Sequence, residues 1–425
     1  MLHLAPFAAA ALAGCHDFRS ARDGKKTEIV YWTGWSGPEL TLQESLAADF
    51  NRQNRDVRVR VLSQSGGYQK VRIAFAGGAT PDLMSTVWAE EFASYALRGV
   101  LTPLDDYLLR SGRSLKEFTP GVARMLTIDG KTYGLAVTTN TTLIAYNKAI
   151  FREVGLDPEK PPRTIAELDD AAWRCTTRDK SGGYARYGFR PSGLSLWAYV
   201  FGGQWVDPTS SAITANHAGN LAALQWLQTY SKRYDLHKME AFATTFGSAK
   251  SPSGPFFVGK IALWQTGEWA QQYVRRYAPK LDWGWFSLPT PPGGRSDVTA
   301  VGGSVFVIPD ACPNKDAAWE FLNWITSPAP VKRFCLDAHN LPPLISVGRD
   351  LVFQDEPLYK FGVRISQGQN AFGPPPIPIW TTYSREIDRV EEKVMLGGAD
   401  PKESLDTLQK AIEKEMRDAR EELQR

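Results

Sequence analysis

Fourteen tryptophans in 425 residues are the feature of this chain with most chemistry to offer. Trp35, Trp88, Trp205, Trp269, Trp285 and Trp380 stand beside glycine, proline or polar residues, at positions where elements end and loops gather. An indole offers a flat apolar face. A sugar ring offers a matching face of C–H groups rimmed by hydroxyls, each of which donates and accepts a hydrogen bond. Tryptophan set among Asp, Glu, Asn, Gln and Arg is therefore the composition of a surface that holds a polyol. The competing reading is core packing, because most tryptophans end up largely buried. Trp173, Trp319 and Trp324 fall within helical faces and read as core.

Other chemistry is poorly represented. There is no GxSxG elbow, P-loop, HExxH or dinucleotide glycine fingerprint, and no catalytic residue is assigned. Glu90-Glu91 and Asp105-Asp106 are adjacent carboxylates, which usually lie on solvated faces, and adjacency says nothing about the separation a glycosidase needs. The five histidines (3, 16, 217, 237 and 339) are scattered and no CxxC occurs, so neither a metal site nor a cofactor is expected. Beyond Cys15 there are three cysteines, which allow at most one disulfide within the chain. Cys312 and Cys335 are the nearer pair in sequence, and buried free thiols are the equal alternative. With 49 basic and 46 acidic residues the net charge is +3, too balanced for the electrostatic footprint of a nucleic-acid binder.

The elements that must position these residues alternate in type. Residues 28–32 (EIVYW) are β-branched and aromatic, and a glycine-rich turn follows at 34–37. A helix then starts near Pro38, with Leu42, Leu46 and Phe50 on one face. Val57, Val59 and Val61 alternate with Arg58 and Arg60 as a half-exposed strand; 68–76 is helical, Gly77-Gly78 ends it, and another strand begins at 81–84. This order predicts a parallel sheet flanked by helices. Residues 130–134 (GKTYG) form a tight hairpin turn leading to 143–147, and Thr164 with Glu167 has the spacing of a capping box. Helices are predicted over 220–234 and around 318–325, a strand over 301–309, and a final helix from Pro401 with Leu405, Leu408, Ile412 and Met416 on its inner face.

The N-terminus reads as an address. Residues 1–15 (MLHLAPFAAAALAGC) contain an apolar run ending in small residues, as in a secretory signal, although no Lys or Arg precedes the run. The run is shorter than the ~20 residues that span a membrane. Leu12-Ala13-Gly14-Cys15 resembles a bacterial lipobox, in which the cysteine thiol is acylated; each buried CH₂ of an acyl chain adds ~0.8 kcal/mol of membrane affinity. The polar stretch 16–26 reads as a tether.

From about residue 28 onward the chain resembles the extracellular solute-binding proteins of ABC-type importers, in the maltose-binding-protein-like sugar branch (family 1). The segments that carry the resemblance are YWTGWSGPEL at 31–40, DFNRQNRDVRV at 49–59, GGATPDL at 77–83 and the run from GKTYGL at 130 to IAEL at 168. FFVGKIALWQTGEW at 256–269, GGSVFVIP at 302–309 and AAWEFLNWITSP at 317–328 continue it. The resemblance implies an α/β, two-lobed fold, each lobe a mainly parallel sheet flanked by helices, joined by hinge strands. Residues 27–138 plus 300–345 would form the first lobe, 142–290 plus 346–425 the second, and 137–141 a hinge crossing.

It further implies a monomer that binds a carbohydrate in the cleft and delivers it to permease subunits served by a cytoplasmic ATPase, with no nucleic-acid partner. Carried over position by position, Trp35, Ser36, Trp88, Glu90 and Glu91 would face the cleft from the first lobe, with Gln64 and Tyr68 further off. Asn140 would sit at the hinge, and Glu268 and Trp269 would face the cleft from the second lobe. Gly302 and Gly303 would admit the ligand close to backbone, and Trp380 or Tyr383 would supply a third aromatic. Asn140 stands where some maltodextrin binders are acidic, so long α-glucans are not implied. Two other readings compete. A glycerophosphodiester ligand on the same scaffold would require Arg or Ser/Thr converging on phosphate, and a secreted carbohydrate-active enzyme would consume its sugar.

Overall fold

β1 (Thr27–Thr33) is the spine of the first lobe, pairing in parallel with β2 (Val57–Ser63) on one side and β3 (Leu83–Trp88) on the other. The computed structural model describes residues 26–64, 68–248 and 251–424. The signal, Cys15 and all of the tether but Lys26 lie outside the described residues.

Between β1 and β2 runs α1 (Gly37–Gln53), which has Pro38 in its first turn and buries Leu42, Leu46 and Phe50. In β2, Val57 and Val59 are buried while Arg58 and Arg60 reach solvent, as period-two alternation requires. α2 (Tyr68–Gly77) leads to β3, and α3 (Ala89–Leu97) starts directly at its end. Strand Ser304–Val307 returns antiparallel beside β3, and Leu135–Ala136 closes the order as a fifth, edge strand. Gly134 is required there: a Cβ would come within 2.4 Å of Val305. The hairpin turn falls at Asp129-Gly130, both at positive φ, slightly ahead of the predicted 130–134.

The second lobe has a different sheet. Leu143–Asn147 lies between Leu263–Thr266 and Trp283–Phe286 and is antiparallel to both. The expected parallel arrangement is therefore corrected in this lobe, while the two-lobed α/β fold stands. Around the sheet pack Ala218–Arg233, Trp380–Met395 and Pro401–Leu423, the last burying Leu405, Leu408, Ile412 and Met416. The capping box is present: Thr164 Oγ1 accepts from Glu167 N–H at 3.2 Å, and Glu167 Oε2 accepts from Thr164 N–H at 3.1 Å.

Two large cores result. One draws on residues 29–137 and 305–363, the other chiefly on 144–288 and 377–416. The expectation that 346–425 belongs wholly to the second lobe is corrected, because Val347, Phe353, Tyr359 and Val363 pack into the first core. Gly362 allows this: a Cβ there would come within 2.7 Å of the Leu341 side chain.

The chain crosses between lobes near 138–142, 298–303 and 367–377. The crossings are stitched together. Thr299–Ala300 pairs in parallel with Ala371–Phe372, and Thr142 N–H donates to Thr299 Oγ1 at 2.7 Å. All three described cysteines are buried free thiols, so Cys312 and Cys335 do not pair; Cys312 Sγ faces Asp82 and Cys335 Sγ faces the Val137 carbonyl.

Candidate ligand-binding site

A cavity of about 390 Å³ opens between the lobes at the hinge. The loop after β1 supplies Trp35, the end of β3 supplies Trp88, and the first turn of α3 supplies Glu90. Thr138, Thr139 and Asn140 line it from the first crossing, and Ala300 to Gly303 from the second. From the second lobe come Trp269 and, one turn along helix Ala270–Tyr277, Gln272 and Tyr273.

Three indoles set its apolar character. Trp35 and Trp88 are tilted against each other at 6.2 Å between ring centroids, with Phe334 edge-on to Trp35 at 5.8 Å. All three indoles are half-buried, leaving ring surface toward the cavity. The hinge glycines have separate duties. The Gly303 carbonyl, in a residue at φ +125°, accepts the first N–H of α3 from Ala89, and a Cβ on Gly302 would lie 3.6 Å from Asn140 Oδ1, in ordinary contact.

The polar groups are unequally satisfied. Among the described residues, Trp35 Nε1, Thr139 Oγ1 and Asn140 Oδ1 are buried and have no hydrogen-bond partner. Buried polar groups nearly always find partners, so three orphans carried by residues that line one cavity mark it as the place where donors and acceptors are wanting. Glu90 reaches solvent but is crowded by both lobes; that desolvation, and secondarily the charge of Glu91, raises its pKa above the ordinary carboxylate range. The wall contains two carboxylates, Glu39 and Glu90, and no Lys, Arg or His.

Of the fourteen expected ligand contacts, the cavity brings together Trp35, Trp88, Glu90, Asn140, Trp269, Gly302 and Gly303. Ser36 is exposed at the start of α1, and Gln64 follows β2 with its N–H on the Thr33 carbonyl; neither lines the cavity. Tyr68 opens α2, and its side chain lies outside the described set.

Four expectations are corrected. Glu91 points away from the cavity and pairs with Arg72 at 2.7 Å, because neighbouring helical residues diverge by about 100°. Glu268 is fully buried beneath the cavity, where Oε2 accepts from Thr141 N–H at 3.0 Å. Burial raises its pKa to about 7 in spite of that bond. Trp380 and Tyr383 belong to the second-lobe core, Tyr383 donating its hydroxyl to the Trp205 carbonyl. Trp205 is buried there as well, and Trp285 packs on a satellite cluster beside Trp283.

The cavity is also lined by Glu39, Thr138, Thr139, Gln272, Tyr273 and Asn340, which are not among the fourteen residues expected from sequence. Gln272 and Tyr273 were within reach, since positions three and four after Trp269 share its helical face.

A larger cavity of about 670 Å³ lies along the other hinge strand, against Tyr199, Phe372 and the prolines at 374–376. Its two arginines are already engaged: Arg124 donates to the Ala371 carbonyl at 2.6 Å, and Arg295 to the carbonyls of Tyr199 and Gly203. Size alone favours this cavity. Unsatisfied polar groups favour the smaller one, and a polyol needs them.

Comparison with known proteins agrees with the two-lobed geometry. Residues 35–332 match the family described as bacterial extracellular solute-binding protein. The maltotriose-binding protein of Pyrococcus abyssi is 24% identical over 375 residues, covering 85% of this chain and 77% of that protein. The sn-glycerol-3-phosphate-binding periplasmic protein of Pectobacterium atrosepticum is 25% identical over 329 residues, covering 71% of this chain and 70% of that protein. The solved structure of CpMnBP1 with mannobiose bound is 26% identical with a TM-score of 0.80, covering 91% of this chain and 99% of that one. Because that match spans well more than half of this chain, the chain belongs to the bacterial extracellular solute-binding proteins.

Proposed function

We propose that this chain is the carbohydrate receptor of an ABC-type importer. It captures a mono- or oligosaccharide between its lobes and hands it unchanged to permease subunits driven by a cytoplasmic ATPase. The observation that carries this reading is a single cavity walled by three half-buried indoles and three buried, unpartnered polar atoms. A sugar answers both, with C–H faces for Trp35, Trp88 and Trp269 and hydroxyls for Trp35 Nε1, Thr139, Asn140, Glu39 and Glu90. Gly302 and Gly303 let the ligand approach backbone. Binding proteins for maltotriose and mannobiose among the similar proteins favour the same ligand class.

A glycerophosphate ligand, which the Pectobacterium relative suggests, is disfavoured by charge. The wall beside the three indoles presents two carboxylates and no cation to a phosphate that needs Arg or Lys; Arg276 stands further out, on the adjoining cavity. The ligand touches Trp35 and Trp88 on one lobe and Trp269 and Tyr273 on the other, so its binding energy favours the closed arrangement. The receptor acts as a monomer held at the membrane by an acylated Cys15.

A thermal-shift screen of mono-, di- and trisaccharides beside glycerol 3-phosphate and its diesters tests the proposal. A ligand that binds only the folded state raises the melting temperature. The expected result is a shift with one sugar group, no product formed, and loss of the shift in Trp269→Ala. A shift with the phosphates alone, or consumption of the sugar, overturns it.

A further inference from the structure

The cavity at the hinge is one length of a longer groove. A second cavity of about 490 Å³ shares Glu39, Gln272, Tyr273 and Ala338 with it and continues outward between the first turns of α1 and helix Ala270–Tyr277. The inner length alone is at the low end of the roughly 300–1,000 Å³ that holds a drug-sized ligand, and the two lengths together approach the high end. At the opposite end the groove is shut. Thr381 Oγ1 donates to the Glu90 carbonyl at 3.1 Å across the lobes, dividing it from the cavity that holds Arg72 and Glu91.

The outer length is furnished with groups that suit a second and third sugar unit. Tyr273 is half-buried at the junction and lies nearly parallel to Tyr277, at 6.2 Å and 10° between ring planes, which fixes its orientation. Arg276 is exposed beside it and has no ion-pair partner among the described residues, leaving several donors for hydroxyl rims. Arg333, across the groove, is already held by Asp49 and Ser45 and serves as wall. Thr41 stands exposed on α1 at the rim.

We infer that the ligand is a linear oligosaccharide of three or more units, threaded from the closed end at Glu90 past Tyr273 to an outer subsite at Thr41 and Arg276. This rests on the carbohydrate reading above and adds chain length and direction to it. A single hexose leaves the outer subsite unused; a longer chain uses both.

Isothermal titration of the intact protein with manno- and maltooligosaccharides of one to five units tests the inference, with Arg276→Ala and Thr41→Trp as variants. Affinity is expected to rise tenfold or more from monosaccharide to trisaccharide. In both variants that gain falls away, bringing the trisaccharide toward the disaccharide. Arg276→Ala changes only an exposed side chain, so it reads the subsite even if the bulky Thr41→Trp disturbs α1. Equal or tighter binding of the monosaccharide overturns the inference and leaves the carbohydrate reading intact, as does a length gain that survives both substitutions. Failure of every sugar to bind, with glycerol 3-phosphate binding instead, overturns the carbohydrate reading and the inference together.

Discussion

Trp269 lies over the cavity because residue 267 is glycine: a Cβ there would sit 2.2 Å from the indole. Gly267→Ala is therefore expected to push the ring aside and weaken ligand binding in step with Trp269→Ala. A buried aromatic anchor is worth about 2 kcal/mol or more, close to thirtyfold in Kd, and calorimetry on the two variants checks both.

Glu268, between these two residues, was legible as important and misread as a contact. Sequence gives its place in the TGEW turn but not the direction of its side chain, and the fold turns the carboxylate down onto Thr141. Its pKa of about 7 exceeds the ordinary 4.5, so the folded protein holds this proton more tightly than the unfolded chain does. The stabilisation that the proton brings is complete below about pH 4.5 and is lost as pH rises to about 7. It amounts to roughly 3 kcal/mol at most. Glu268→Gln keeps an acceptor for Thr141 and no longer titrates, so its melting temperature is expected to vary less than wild type between pH 4.5 and 7 and to exceed it at pH 8. An unchanged pH profile would remove Glu268 from the account.

At the scale of elements, local signals are legible in the sequence and strand pairing is not. The Pro38 start of α1, the alternation in β2, the Thr164–Glu167 box and the inner face of Pro401–Leu423 all follow from spacing within one segment. The second-lobe sheet joins strands at 143–147, 263–266 and 283–286, and nothing within a four- or five-residue strand states its partner or direction. Trp380 and Tyr383 lie in the core and not in the cleft for a related reason: they open a helix whose buried face is set by Trp205 and the second core. Two substitutions test the elements that were legible. Thr164→Ala removes an N-cap and is expected to cost about 1 kcal/mol. Ile412→Ala opens a hole under the final helix and is expected to cost 2–4 kcal/mol, at the scale of about 2–5 for buried aliphatic truncations. Urea denaturation measures both.

At the scale of the whole molecule, three crossings tied by Thr299–Ala300, Ala371–Phe372 and the Thr141–Glu268 bond connect two separate cores. Relative motion of the lobes then bends short extended segments and leaves each core intact, the arrangement of a hinge. A ligand gripped by both lobes converts its differential affinity into closure. Small-angle scattering is expected to show a smaller radius of gyration when a bound sugar is present.

The most direct measurement is the crystal structure of the complex with the sugar that the thermal-shift screen selects. The account predicts one ring packed against the indoles of Trp88 and Trp269, with hydroxyls within hydrogen-bond reach of Trp35 Nε1, Thr139 Oγ1 and Asn140 Oδ1. A sugar found instead in the larger apolar cavity against Tyr199 and Phe372, with the three polar atoms still unpartnered, would contradict it.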